Sequence, residues 1–183
     1  MSLRIQFELS ERDLKHFKKI ASSAKQLAKD AGEEEIIEAA EGLLQEVEDA
    51  KTPDFIHDRL MQLKYMIEML QDEGWGLGGA DRDRVLSALA YFCDPEDLIP
   101  DSTPGFGFLD DAIMVELMVR ELKHEIEAYA DFCNYRSREE KRTGKSGMAR
   151  ADWLDGKRKE LHSRMRRRRK SERGGGGVRF KLL

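Results

Sequence analysis

Nine cations stand within residues 157–170: Lys157, Arg158 and Lys159, then Arg164, Arg166, Arg167, Arg168, Arg169 and Lys170. On a helix they occupy about four turns, and like charges four residues apart repel. Such a segment calls for a counter-charge. A nucleic acid supplies one, because neutralised phosphates release their condensed counterions. An acidic protein surface would serve as well, including this chain's own, for Glu33, Glu34, Glu35, Glu38 and Glu41 form a dense negative run. The nine residues are therefore the candidate binding set. The partners they imply are the chain itself (within one molecule or as a homo-oligomer), an acidic protein, or DNA or RNA. Contact with an anionic membrane surface is disfavoured, though basic helices do make it.

The second constellation is acidic. Asp94, Asp97, Asp101, Asp110 and Asp111 could converge on a divalent cation, since hard ions take clustered carboxylates. Their spacing matches no calcium loop, however, and several have capping work: Asp94 precedes Pro95, and Asp110 and Asp111 open an apolar-periodic stretch. The expectation is a structural corner that holds no metal and no cofactor, with Leu98, Ile99, Phe106, Phe108 and Leu109 plugging the gap between two helices.

Other patterns fail on inspection. Gly74-Trp75-Gly76-Leu77-Gly78-Gly79 satisfies a dinucleotide-binding spacing, but that chemistry needs a strand before the loop, and an apolar helix precedes it. The spacing predicts an interhelix loop with Trp75 and Leu77 turned into the core. Gly144-Lys145-Ser146 ends like a phosphate-cradling loop, yet Glu139 stands where its first glycine belongs. His124-Glu125 begins like a zinc-protease helix, but the residue four after His124 is Ala128. His16, His57, His124 and His162 show no ligand spacing, and Cys93 and Cys133 sit at apolar helical positions as free thiols. No nucleophile, base and orienting group come together, so a non-enzymatic role is expected.

The elements that must carry these residues follow from periodicity. Residues 3–9 alternate apolar and polar like a half-buried strand. Ser10 with Asp13 then opens a helix through Leu14, Phe17, Ala21, Ala24 and Leu27 to about residue 31, which Gly32 ends. A second helix spans about 33–50, and a third starts at Thr52-Pro53 and runs through Leu70. A fourth carries Val85, Leu86, Leu89, Phe92 and Cys93, and a long fifth runs from Asp110 to about Arg136. Residues 136–148 are polar and read as a linker, 149–173 as the basic helix, and 174–177 as a glycine tether. Residues 178–183, Val-Arg-Phe-Lys-Leu-Leu, alternate like a strand again and could pair with residues 3–9 or add to a partner's sheet.

The stretch from Val85 to about Leu122 resembles the bacterial YkvA-like family, a domain of unknown function. The resemblance rests on Ala90-Tyr91-Phe92 at a helix end, the turn Asp94-Pro95-Glu96-Asp97-Leu98-Ile99-Pro100-Asp101, and the helix start Pro104-Gly105-Phe106-Gly107-Phe108-Leu109-Asp110-Asp111. It implies a fold element and no activity. Cys93 and Asp94 stand where family members typically show Ser or Asn, and charged flanks replace the apolar helices that suggest membrane contact in many relatives.

Charge is polarised along the 183 residues. Residues 136–183 hold 18 Lys/Arg against 6 Asp/Glu, a net of +12, so the total of −4 leaves −16 on residues 1–135. No run reaches the roughly 20 apolar residues of a transmembrane helix, and no signal-peptide pattern opens the chain, so a cytoplasmic location is expected. The reading is all-α: a bundle of about five helices in an acidic domain (1–135), a linker (136–148), a basic helical arm (149–173), and a tail (174–183) with short terminal strands as an option.

Overall fold

The computed structural model describes residues 8–27, 31–50, 52–93, 99, 103, 106–143 and 148–174. The fold is all-α. The described residues form seven α-helices in order: α1 (Glu11–Leu27), α2 (Glu33–Asp49), α3 (Asp54–Gln71), α4 (Ala80–Leu89), α5 (Leu109–Glu121), α6 (Lys123–Thr143) and α7 (Met148–Gly174), with a 3-10 turn at Ala90–Cys93. The described residues contain no strand. The alternating segment 178–183 and most of 3–9 lie outside them.

Sequence chemistry explains the helix starts. Ser10 and Asp13 form the reciprocal cap their spacing predicts, with the Ser10 N–H donating to Asp13 Oδ2 at 2.9 Å and the Asp13 N–H to Ser10 Oγ at 3.3 Å. Glu33, Glu34 and Glu35 place negative charge on the first turn of α2, where the helix dipole favours it. Phe108 precedes α5 in the left-handed region (φ 61°), which ordinarily costs an L-residue about 1 kcal/mol. Its ring is buried, and that burial offsets the strain.

Helix α3 is the axis of the core. Ile56, Leu60, Leu63, Met66, Ile67, Met69 and Leu70 are buried on more than one of its faces, so neighbours must cover it on several sides. Helices α2, α4, α5 and α6 do so. Trp75, fully buried in the loop after α3, stacks tilted on Tyr129 (5.8 Å between centroids) and Phe132 (5.2 Å) of α6, and Leu77 is buried beside it. The glycine-rich stretch is thus an interhelix loop with its two apolar side chains inside, as the spacing predicted.

Several expectations change. The long helix expected from Asp110 to Arg136 is two helices, broken at Leu122. The Arg84 guanidinium reaches the Glu121 carbonyl there at 3.4 Å, and Leu122 buries its side chain in the bend. Residues 136–143, read as linker, continue α6, where Arg136 is anchored by Asp72 at 2.7 Å and Arg142 by Glu139. Helix α1 is described as far as Leu27, with 28–30 outside the described residues, and Gly32 is the N-cap of α2. Phe106 is 55% exposed and does not plug the corner; Phe108 does so at 4%.

Candidate functional site

Helices α6 and α7 form an antiparallel hairpin in one register: Arg164 pairs with Asp131, Arg168 with Glu127 at 2.8 Å, and Glu172 meets His124 at 3.0 Å. Each helix carries its partners at steps of three or four residues, the spacing that keeps side chains on one helical face. Towards the loop end, Lys157 lies over the Tyr135 ring at 5.2 Å. Leu161 and Met165, sparse as they are, are both buried, and His162 presents an edge to Trp75 with centroids 4.2 Å apart.

At the centre the arm also grips α4. Asp81 is 3% exposed and takes Arg166 Nε on Oδ2 and Arg169 Nη1 on Oδ1, both at 2.7 Å. Glu125, with no exposure, receives Arg84 at 3.1 Å and also pairs with Arg169. One guanidinium thus bridges α4 and α6, and a second from α4 completes a five-residue charged cluster. Burial would raise the Asp81 carboxyl, but hydrogen bonds from Arg166 and Arg169 hold it below its ordinary value. Burial, then the charge of Arg168, keeps the His124 imidazole below its usual range, so it faces Glu172 as a neutral ring; burial, then Arg166, lowers His162 likewise.

These pairs differ in weight. Arg168–Glu127 is half-exposed and contributes about 0–1 kcal/mol. Removing one member of the buried Asp81 and Glu125 set would strand a desolvated charge, a loss of several kcal/mol in a fully buried pair and less here because Arg166 is 55% exposed.

Of the nine predicted cations, Arg164, Arg166, Arg168 and Arg169 thus face carboxylates of the body. Lys157 pairs with Glu160 and both Arg158 and Lys159 with Asp155, all within α7. Arg167 and Lys170 are exposed and carry no ion pair among the described residues. Within one molecule the acidic run on α2 does not receive the arm: Glu33 pairs with Arg82 and Glu41 accepts from Gln71, while the arm's cations pair with carboxylates of α4 and α6. The receptor residues Asp81, Glu125, Glu127 and Asp131 had one signal in the sequence, a carboxylate spacing of four between Glu127 and Asp131 that matches Arg164 and Arg168.

The acidic candidates do not assemble into a described site. Asp94, Asp97 and Asp101 lie outside the described residues. Asp110 and Asp111 are buried in the first turn of α5, where Asp110 Oδ2 accepts the Ile99 N–H at 3.2 Å. Among the described residues no group of three or more His, Cys, Asp or Glu is placed to hold a metal ion. Cys93 and Cys133 are free and half-buried, and burial raises both thiols.

Fold and site define a helical bundle closed by a basic clasp. A family model described as "Protein of unknown function (DUF1232)" matches residues 84–117, from the middle of α4 through most of α5, consistent with the YkvA-like resemblance of the same stretch. The matched segment contains Arg84 but none of the clasp cations. No curated protein and no solved structure matches the chain.

Proposed function

We propose that the chain is a non-enzymatic binding and assembly module whose basic helix has two faces. The inward face, Arg164, Arg168 and Arg169 with Arg166 at its edge, clasps α7 to the chain's own carboxylates. The outward stripe, Lys159, Arg166, Arg167 and Lys170, meets an acidic surface on another protein, the first candidate being α2 of a second copy, whose Glu34, Glu35 and Glu38 are exposed. The observation that carries this reading is the division itself: Arg167 and Lys170 stay unpaired among the described residues while Arg166, Arg168 and Arg169 beside them are taken. In this reading the module works in the cytoplasm, and no described helix is long and apolar enough to cross a membrane.

A nucleic-acid role is the second reading, and salt separates the two. Each phosphate contact contributes about −0.9 to the slope of log affinity against log salt. With the arm docked, the two unpaired cations Arg167 and Lys170 give a slope of about −2, rising to about −3 to −4 where Lys159 and Arg166 exchange their carboxylates for phosphates; all nine engaged would give about −8. Reversing Arg167→Glu and Lys170→Glu leaves the clasp intact, whereas deleting α7 would uncover Trp75, against which His162 packs. Light scattering and fluorescence anisotropy with RNA, DNA and polyglutamate, run across a salt series on both proteins, test the proposal. It expects salt-sensitive self-association or polyglutamate binding that the reversal abolishes. RNA or DNA binding with a slope near −8 would instead establish the second reading, and an unchanged double variant would refute both.

A further inference from the structure

A groove of about 700 Å³ runs between α1, the start of α3 and α5. Its floor is Leu9, Leu14, Leu109, Ile113 and Leu117, and Phe55 stands at its rim 55% exposed. Its charges are uneven. Arg59 and Arg120 both pair with Glu116, at 3.2 and 2.8 Å, whereas Glu8 and Asp58 carry no ion pair among the described residues. An occupant that suits this groove is apolar along one edge and brings cations on the other.

We infer that the occupant is residues 178–183 of the same chain, Val-Arg-Phe-Lys-Leu-Leu. Three observations converge on it. The hairpin register that sets Glu172 beside His124 carries Gly174 towards Leu122, two residues from Arg120 at one end of the groove. The glycine run 174–177 reaches at most about 13 Å and six extended residues about 20 Å, against about 17 Å for the helical stripe from Leu109 to Arg120. The alternation then fits: Val178, Phe180 and Leu182 meet the floor while Arg179 and Lys181 face Glu8 and Asp58. Residues 1–7, which precede the groove-lining Glu8 in the chain, are the rival occupant, but Arg4 is their one Lys or Arg. A short tether makes docking within one molecule far more favourable than between copies, because its effective concentration is on the order of millimolar.

This inference needs α7 docked and is independent of what the outward stripe binds. The test replaces Phe180 in the full-length chain with the photoreactive p-benzoyl-phenylalanine, irradiates over a range of protein concentrations, and maps the cross-links by mass spectrometry. Cross-links at monomer mass into residues 54–59 or 109–120, with a concentration-independent yield, are expected. Ile113→Glu, which puts a charge on the groove floor, should cut that yield about ten-fold. Arg179→Glu with Lys181→Glu, which leaves the body untouched, should cut it too. Cross-links to other surfaces, cross-links confined to dimers, or a probe at Phe7 that labels the groove while one at Phe180 does not would each overturn the inference.

Discussion

Leu161→Ala measures how far the basic helix is part of the folded body. Leu161 has no exposure and faces α6, so truncation removes a buried isobutyl group and leaves a cavity beside Tyr135 and Asn134. Buried Leu→Ala changes cost about 2–5 kcal/mol, and a site on an outer helix that can partly relax belongs near 3. On a solvated helix the same change would be neutral or slightly stabilising, because alanine is the better helix former. At about 2–4 °C per kcal/mol for a chain of this size, the melting temperature should fall by about 6–12 °C. Urea unfolding should show a lower midpoint with an unchanged slope, since α7 and the bundle then unfold as one unit. Arg167→Ala, on the outward face, should stay within about 0.5 kcal/mol. A loss below that same margin for Leu161→Ala would refute the docking argument.

Three further outcomes follow from the same geometry. Asp81 has a lowered carboxyl, so its contribution to stability is complete above the ordinary value of 3.8 and is lost as pH falls below it; Asp81→Asn should cost about 1–3 kcal/mol at neutral pH and flatten that acid limb in thermal melts. His124 and His162 have lowered folded values, so the unfolded chain binds protons first; stability should decline as pH falls below the ordinary 6.5, and NMR titration should find both imidazoles more than half neutral at that pH. Gly76 has φ 56° and a would-be Cβ 3.0 Å from the Arg158 guanidinium; Gly76→Ala should destabilise by about 1–2 kcal/mol in the same urea assay, and a neutral result would remove the loop's role in seating α7.

Local chemistry was legible where one segment sufficed to state it. The Ser10–Asp13 cap, the buried Trp75 and the helical state of the basic segment all follow from spacing and side-chain type. What failed were boundaries and partners set by tertiary contacts. The break at Leu122 depends on Arg84, 38 positions earlier in the chain, and residues 136–143 stay helical with Arg136 tied to Asp72. The basic segment announced a need for counter-charge, but its receptor is divided between Asp81 on α4 and Glu125, Glu127 and Asp131 on α6. The denser glutamate run of α2 drew the reading because local charge density says nothing of which faces the fold brings together.

Hydrogen exchange across α7, in the intact protein at low and at 1 M salt, tests the clasp most directly. With Leu161 and Met165 buried and Asp81 and Glu125 engaged, the amides of residues 158–169 should exchange with protection close to that of α3, and salt should accelerate them only modestly because buried pairs are poorly screened. Exchange at the rate of an unfolded peptide at low salt, while α3 remains protected, would contradict it.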